Sequence, residues 1–599
     1  MTNNKLLVFL LSSFFIIPFL PVPNFDFILD LTYPKQIIPL IISLIFLIYF
    51  VTKNKQQQLS ISSSAIQISL IIIFLALQVI FIKSYITFSL MACSVMFICT
   101  LLSIAIQNLK FDQVILIKFI CIAIMINAYI QCILSIFQVI HFNLQIPINF
   151  YSIDGQIIKE YMNPFRLDNR NRIIGGVTQV NELAEVLTWG LIANIYLFNK
   201  KNLIFIINSI IFSAFCYISQ SNSIILYSIF MFGYGLFLRK INVIYSKKFF
   251  FTGTILAIAF ACNYFDLYHR LYQLLYYHVS LLPQNMLQPR NVAASNMQRL
   301  LMWDKGISMF LQHPLFGVGW NYYASNFHLV KSTIIPANTW VELSIPMNCH
   351  NLLIQLLATT GIIGTAIFLL PIVFLYKKII KLADKDLQIV PFSIMSIILL
   401  HSMVEFPLFE TYMLIPLIIL IAPFNKEKVL AIASNKFKLV IIVTSIISIW
   451  QIIIGLSNYL ILAHIKPNTN FSKNLTNNII NQYMIGTNPF WEVYSDANFA
   501  QNASVTTNNN QQFFKITLRN MEKITLFVPS PAFTDKLTIL YLINDEPEKA
   551  ELWLSYTLLT YPNNKQIIKK DLIALTGTNT KLKSQIEALY QLTLSKLPK

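Results

Sequence analysis

Residues 36–55 read QIIPLIISLIFLIYFVTKNK, an uncharged apolar run that ends on Lys53 and Lys55. A bilayer core of about 30 Å takes about 20 helical residues, with about 17 as the working minimum, and residues 36–52 satisfy it. The same pattern, an apolar run closed by a short polar break, recurs along the chain. It predicts thirteen spans, at 5–22, 36–52, 65–83, 86–107, 113–141, 182–198, 203–218, 222–238, 249–263, 351–376, 389–401, 408–424 and 439–463. Of 599 residues, 56% are apolar and 12% charged, whereas soluble domains carry about 25% charged residues. Disorder, collagen-like sequence and a secreted disulfide scaffold are excluded, and the class is an all-α polytopic membrane protein. The first run is similar to a signal peptide but ends in Pro21-Val22-Pro23 instead of a small-residue cleavage site, so it is read as a helix.

Basic residues orient the spans. Lys53 and Lys55, Lys110, Lys200 and Lys201, Arg239 to Lys248, Lys377 to Lys385, and Lys426 to Lys438 fall in alternate breaks, and a cytoplasmic N-terminus places all of them inside. The net charge of +18 is therefore a topology signal. No Lys/Arg-rich arm with interleaved aromatics accompanies it, so no nucleic-acid partner is expected. The seven cysteines form no CxxC and no metal spacing. Two domains follow: a membrane domain over 1–463, with outer loops 142–181 and 264–350, and an outer, mostly helical domain over 464–599.

The outer segments hold the unusual chemistry. Arg166, Arg170 and Arg172 break the positive-inside trend, and such guanidiniums suit an anionic ligand as well as a solvated loop. Glu182 and Glu185 follow at i, i+3 spacing inside a span, where acidic groups face the bundle interior. His350 sits at a helix entry at the membrane boundary, where an imidazole can serve as general base or as a simple interfacial cap.

His350-Asn351, then Gln355-Leu356-Leu357 and Thr360-Gly361-Ile362-Ile363-Gly364, resembles the signature of the O-antigen ligase/polymerase superfamily. His313-Pro314-Leu315-Phe316-Gly317-Val318-Gly319-Trp320 resembles the block before it, with Arg299 and Trp303 upstream. Gln179-Val180-Asn181 resembles the Gln-Pro-Asn element of the PglL-type protein O-oligosaccharyltransferases. His401-Ser402-Met403-Val404-Glu405-Phe406-Pro407-Leu408 resembles that branch's His-Ser-x-x-Glu-Tyr-Pro-Leu motif. The chain departs from the family at Phe406, where a tyrosine is usual, at Asn222, where an arginine is usual, and at Thr359, where a glutamate is usual; the missing hydroxyl points to Tyr412 as a substitute.

The resemblance implies transfer of a preassembled glycan from a polyprenyl (undecaprenyl) pyrophosphate lipid to a Ser/Thr hydroxyl of a periplasmic protein such as a pilin, at the bacterial inner membrane. His350 would orient or deprotonate the acceptor. Arg299, with one of Arg166, Arg170 or Arg172, would hold the diphosphate, and Gln179, Asn181, Asn351, Glu405 and Tyr412 would bind donor or acceptor. No outer-loop Asp-x-Asp or carboxylate cluster is present, so neither metal nor cofactor is expected. The alternatives are ligation to lipid A-core or repeat-unit polymerisation, and, from another class, a lipid-linked glycan transporter. Transporters place ionisable groups near the midplane and show repeated halves, which this chain does not.

In the tail, Asn498 to Gln512 reads as a linker. Leu537, Leu540 and Tyr541, then Ala550, Trp553, Leu554, Thr557 and Leu558, recur at helical spacing around a turn at Asp545-Glu546-Pro547. The pair resembles a tetratricopeptide hairpin, serving as a packed cap or an acceptor dock.

Overall fold

The computed structural model describes residues 2–22, 33–80, 85–109, 112–144, 150–151, 157–158, 167, 172–177, 179–265, 292–327, 329–330, 346–382, 384–424, 428–464, 484–502, 511–561 and 564–597. All thirteen predicted stretches contain helix. Among the described residues, seven helices are long and apolar enough to cross a membrane: Tyr33–Lys53, Thr87–Gln107, Gln113–His141, Asn202–Ser219, Val243–Tyr264, Leu352–Ile380 and Ser434–Leu462. Four apolar helices are shorter, Leu6–Phe19, Ser63–Val79, Ile224–Leu238 and Thr411–Phe424. The chain is thus an all-α polytopic membrane protein.

Local chemistry starts many of these helices. Ser62, Asn242, Asp384 and Asn351 each accept a backbone N–H in the first turn through the side chain, which satisfies donors that the helix itself leaves open. Apolar attraction between helices is weak within lipid, so close packing and polar cross-links carry the association. Gly190 lets helix Val180–Leu197 approach helix Gln113–Leu144, because an added Cβ would fall 2.6 Å from the Ala128 Cβ. Asn194 donates to the Phe205 carbonyl and to Ser209 Oγ, and accepts from Asn208.

Two helices form the centre. Helix Val180–Leu197 is buried at every position from Glu182 to Ile195, and helix Lys385–His401 packs along it. That enclosure is why the second is short and carries polar residues. At the other extreme, 17% of the apolar stretch of Ser434–Leu462 is buried. Its outward face of Leu439, Ile446, Trp450 and Ile453 is the surface a helix presents to lipid. A two-stranded antiparallel ribbon, Gln58–Ile61 with Leu430–Ala433, ties two of the basic breaks together.

The tail forms a second core that extends onto the membrane helices. Helices Glu492–Asn502, Gln511–Phe527, Pro531–Ile543, Pro547–Thr560, Lys565–Leu575 and Thr580–Lys596 follow one another. The predicted hairpin is present, with Asp545 at φ 57° in its turn. The linker reading of Asn498 to Gln512 is corrected at both ends, since Asn498–Asn502 completes one helix and Gln511 opens the next. The Asn/Gln composition hid an apolar face of Ala497, Phe499 and Ala500, all buried. Phe527 meets Tyr85, Phe88 and Tyr322 with ring centroids 5.2–5.7 Å apart, and Tyr85 donates to Asp496 at 2.6 Å.

Candidate active site

The Glu405 carboxylate is the hub. His350 Nδ1 lies 2.8 Å from its Oε2, and Arg299 Nη2 donates to Oε1 at 2.9 Å. Asn181 Nδ2 donates to the same Oε1 at 3.0 Å. The side chain of Glu405 is 8% exposed, against 34% for His350 and 29% for Arg299. Burial acting alone would raise the Glu405 carboxyl; the hydrogen bond from His350, with the Arg299 guanidinium, outweighs it and holds the group below its ordinary value of 4.5. An ionised carboxylate accepts only, so His350 presents Nδ1–H to it and keeps Nε2 for another partner.

Four elements meet to make this arrangement. His350 has φ 50°, a strained position for a non-glycine residue, and its neighbours fix it there. Trp303 Nε1 donates to the Cys349 carbonyl at 2.9 Å, and Cys349 N donates to Gln355 Oε1 at 3.0 Å. Trp303 and Arg299 are one turn apart on helix Val292–Gln312, so one helix face touches both sides of the imidazole's setting. Asn351 caps the next helix by accepting from Ile354 N at 3.1 Å, while its amide donates to Met403 O at 3.3 Å. The Phe406 ring packs against His350 at 5.1 Å. Burial pushes the Cys349 thiol up to about 12, which makes it a poor nucleophile.

The two motif blocks before and after His350 are in contact. Helix Leu352–Ile380 breaks at Gly361, with φ 63° and ψ −169°. The break frees carbonyls and amides that the His313–Trp320 block takes up: Val318 N donates to Ala358 O, Gly319 N to Thr359 O, and Ile362 N to Pro314 O. Gln78 adds donations to Phe316 O and Thr359 O, both at 2.9 Å. Thr359, where the family usually has glutamate, is buried beneath this junction. Trp320 then stacks between Phe368 and Phe409 at 5.4 and 5.2 Å.

A cavity of about 840 Å³ opens beside this cluster. His350, Glu405, Gln179, Glu182 and Glu410 are among its polar lining residues, and apolar residues such as Ile68, Ile71, Leu375, Ile418 and Ile452 supply most of its wall. Phe490, Trp491 and Tyr494 of the tail contribute wall. Such a shape, mostly apolar with a few convergent polar groups, suits an amphiphilic ligand.

The sequence-predicted residues divide accordingly. His350, Arg299, Asn181 and Glu405 come together, Asn351 supports them, and exposed Gln179 lines the cavity. Tyr412 does not join them: it is buried, and its hydroxyl donates to Glu182 Oε1 at 2.7 Å, with Lys35 Nζ 4.6 Å from its ring centroid. Arg172 lies in the described strip 172–177, which Gln138 and Gln131 hold by its backbone at Ile174, Gly175 and Gly176. Arg166 and Arg170 lie outside the described residues. Among the described residues no three His, Cys, Asp or Glu side chains group to hold a metal ion. Sequence reading missed Ser221, whose hydroxyl donates to Asn181 Oδ1 at 2.7 Å and so sets which end of that amide faces Glu405. It also missed the tail aromatics, for which segment 465–491 carries no periodic signal.

Residues 207–369 match the O-antigen ligase family, and residues 390–572 match the C-terminal region of the virulence factor membrane-bound polymerase family. The chain belongs to the O-antigen ligase/polymerase superfamily. The first match contains Arg299 and His350 and the second contains Glu405, so the hub joins groups from both matched regions. Membership supports an enzyme that transfers glycans from a lipid-linked donor. No curated protein sequence matches the chain.

Proposed function

We propose that the protein transfers an oligosaccharide from a polyprenyl pyrophosphate to a Ser/Thr hydroxyl of a periplasmic protein, a pilin being the expected type, at the outer face of the bacterial inner membrane. One observation carries the reading. A buried carboxylate receives an imidazole, a guanidinium and an amide, and the carboxylate and the imidazole line a mostly apolar cavity. The isoprenoid chain occupies the apolar part, and its head reaches His350 and Arg299.

In the reaction, Glu405 keeps the His350 Nδ1–H in place, and Nε2 takes the proton of the acceptor hydroxyl. The hydroxyl oxygen bonds to the anomeric carbon as the bond from that carbon to the diphosphate oxygen breaks. Arg299, which still has N–H groups beyond the one on Glu405, stabilises the charge that develops on the diphosphate, aided by Arg172. Gln179 meets the sugar or the acceptor at the cavity mouth. Orientation follows from the basic breaks, all of which lie inside when the site faces the periplasm. The match of residues 390–572 to a polymerase family keeps a second acceptor class in view, the saccharide of lipid A-core or of another lipid-linked repeat.

Transfer assayed with purified protein, lipid-linked oligosaccharide and acceptor tests the chemistry. His350→Ala and Glu405→Gln should each lower turnover about 10²–10⁴-fold, and Arg299→Ala about 10²–10³-fold. Near-normal turnover in any of them removes that residue from the mechanism. Intact mass of periplasmic proteins after gene deletion identifies the acceptor: a glycan-sized loss with lipopolysaccharide unchanged selects protein, and the reverse pattern selects lipid A-core.

A further inference from the structure

Glu185 forms a closed ion pair with His401, a residue that also lines the cavity, through Glu185 Oε2 and His401 Nδ1. Their side chains are 0% and 1% exposed. His401 Nε2, at the other end of the imidazole, has no hydrogen-bond partner among the described residues. The imidazole is therefore oriented by Glu185. A buried ion pair adds little stability over apolar residues of the same volume; what it supplies here is a fixed geometry.

That geometry is set against the hub. Asn181 and Glu185 are one turn apart on helix Val180–Leu197 and so share a face. His401 and Glu405 are also one turn apart, because Glu405 N donates to His401 O at 2.8 Å and Val404 N to the same oxygen at 2.9 Å. Asn181 holds Glu405, and Glu185 holds His401. The two contacts are rungs of one ladder between the segments. A single rung leaves the 401–405 turn free to pivot about it, and the second removes that freedom. Leu352 N donates to Ser402 O at 2.7 Å, which ties the helix following His350 to the same turn.

We propose that Glu185 and His401 are positioning residues for the transfer reaction: they lock the 401–405 turn so that the Glu405 carboxylate meets His350 and Arg299 in register. The inference rests on the site reading above. Glu185→Gln and His401→Gln should lower kcat about 10–100-fold, the range seen when outer partners of a site are lost, with KM for the lipid donor unchanged. His401→Asn places its amide near the Nδ1 position, keeps a donor for Glu185, and should retain kcat within several-fold of the native enzyme. Melting temperatures of the detergent-solubilised variants accompany the kinetics, and where Glu185→Gln does not accumulate, the His401→Asn and His401→Gln pair decides. Wild-type kcat in Glu185→Gln, a change confined to KM, or equal rates in His401→Asn and His401→Gln would overturn the proposal. Full activity in Glu405→Gln would instead overturn the site reading, so the two failures are distinguishable.

Discussion

His350 is constrained from three sides: a carboxylate on Nδ1, the Phe406 ring against its own, and a peptide strained at φ 50°. Phe406 stands where the family usually has tyrosine, and its role here is contact. Phe406→Ala should lower turnover about 10–100-fold by loosening the imidazole, because small misplacements of a base are costly. Phe406→Tyr should stay within a few-fold of the native rate; the reverse order of the two variants in the transfer assay would refute a packing role. Glu405 provides the pH test. Its carboxyl is held below the ordinary 4.5 in the folded protein, so its ionised form stabilises the fold above that value, and the contribution is lost as pH falls through the lowered one. The melting-temperature advantage of the native protein over Glu405→Gln should stay level from about pH 7 to about pH 5 and shrink below about pH 4. A gap that closes before pH 5 would contradict it.

Among the helices, Leu352–Ile380 is the one whose irregularity matters. Gly361 has φ 63°, and a Cβ there would lie 2.3 Å from the Leu315 backbone; Gly317, at φ 68°, would meet Thr359 at 2.4 Å. Both positions press backbone on backbone, so neither can yield by a rotamer change. Gly361→Ala and Gly317→Ala should each destabilise by at least about 1–3 kcal/mol from backbone strain alone, read as a lower melting temperature and lost activity. Gly233, in helix Ile224–Leu238, has nothing within 4 Å of an added Cβ. Gly233→Ala should be neutral or stabilise by about 0.5–1 kcal/mol, which makes it the control. The apolar period of residues 351–376 showed a helix, and the Thr-Gly-Ile-Ile-Gly block marked a special place in it. That the break exists to receive the His313–Trp320 block required both chains of carbonyls and amides in space.

At the scale of the whole molecule, the tail closes the cavity. Trp491 is 2% exposed, meets Tyr33 at 4.9 Å, and lines the space beside His350. Tyr33 in turn lies against Gly455 of helix Ser434–His464. Trp491→Ala should cost about 3–5 kcal/mol of stability, as large aromatic truncations in cores do, and should raise KM for the lipid donor more than it lowers kcat. An unchanged KM would mean that the tail is a support and takes no part in forming the donor's cavity. The predicted hairpin at Asp545 is part of this cap, but the helices that touch the membrane domain, Glu492–Asn502 and Gln511–Phe527, fall in or beside the stretch that composition marked as linker.

Hydropathy determined the class of this protein and the helical stretches by itself, because a bilayer admits few ways to satisfy a backbone and each leaves a long local signature. The blocks that resemble the O-antigen ligase/polymerase superfamily likewise singled out His350, Arg299, Asn181 and Glu405, whereas position and polarity alone left His350 open between a base and an interfacial cap. Only the tertiary structure decided that these four share one carboxylate, that Ser221 orients Asn181, and that Tyr412 belongs to Glu182 instead. Hydrogen bonds between residues 40 to 230 positions apart leave no periodicity in a chain. They are fixed by how helices cross, and crossing is a property of surfaces, not of order along the sequence.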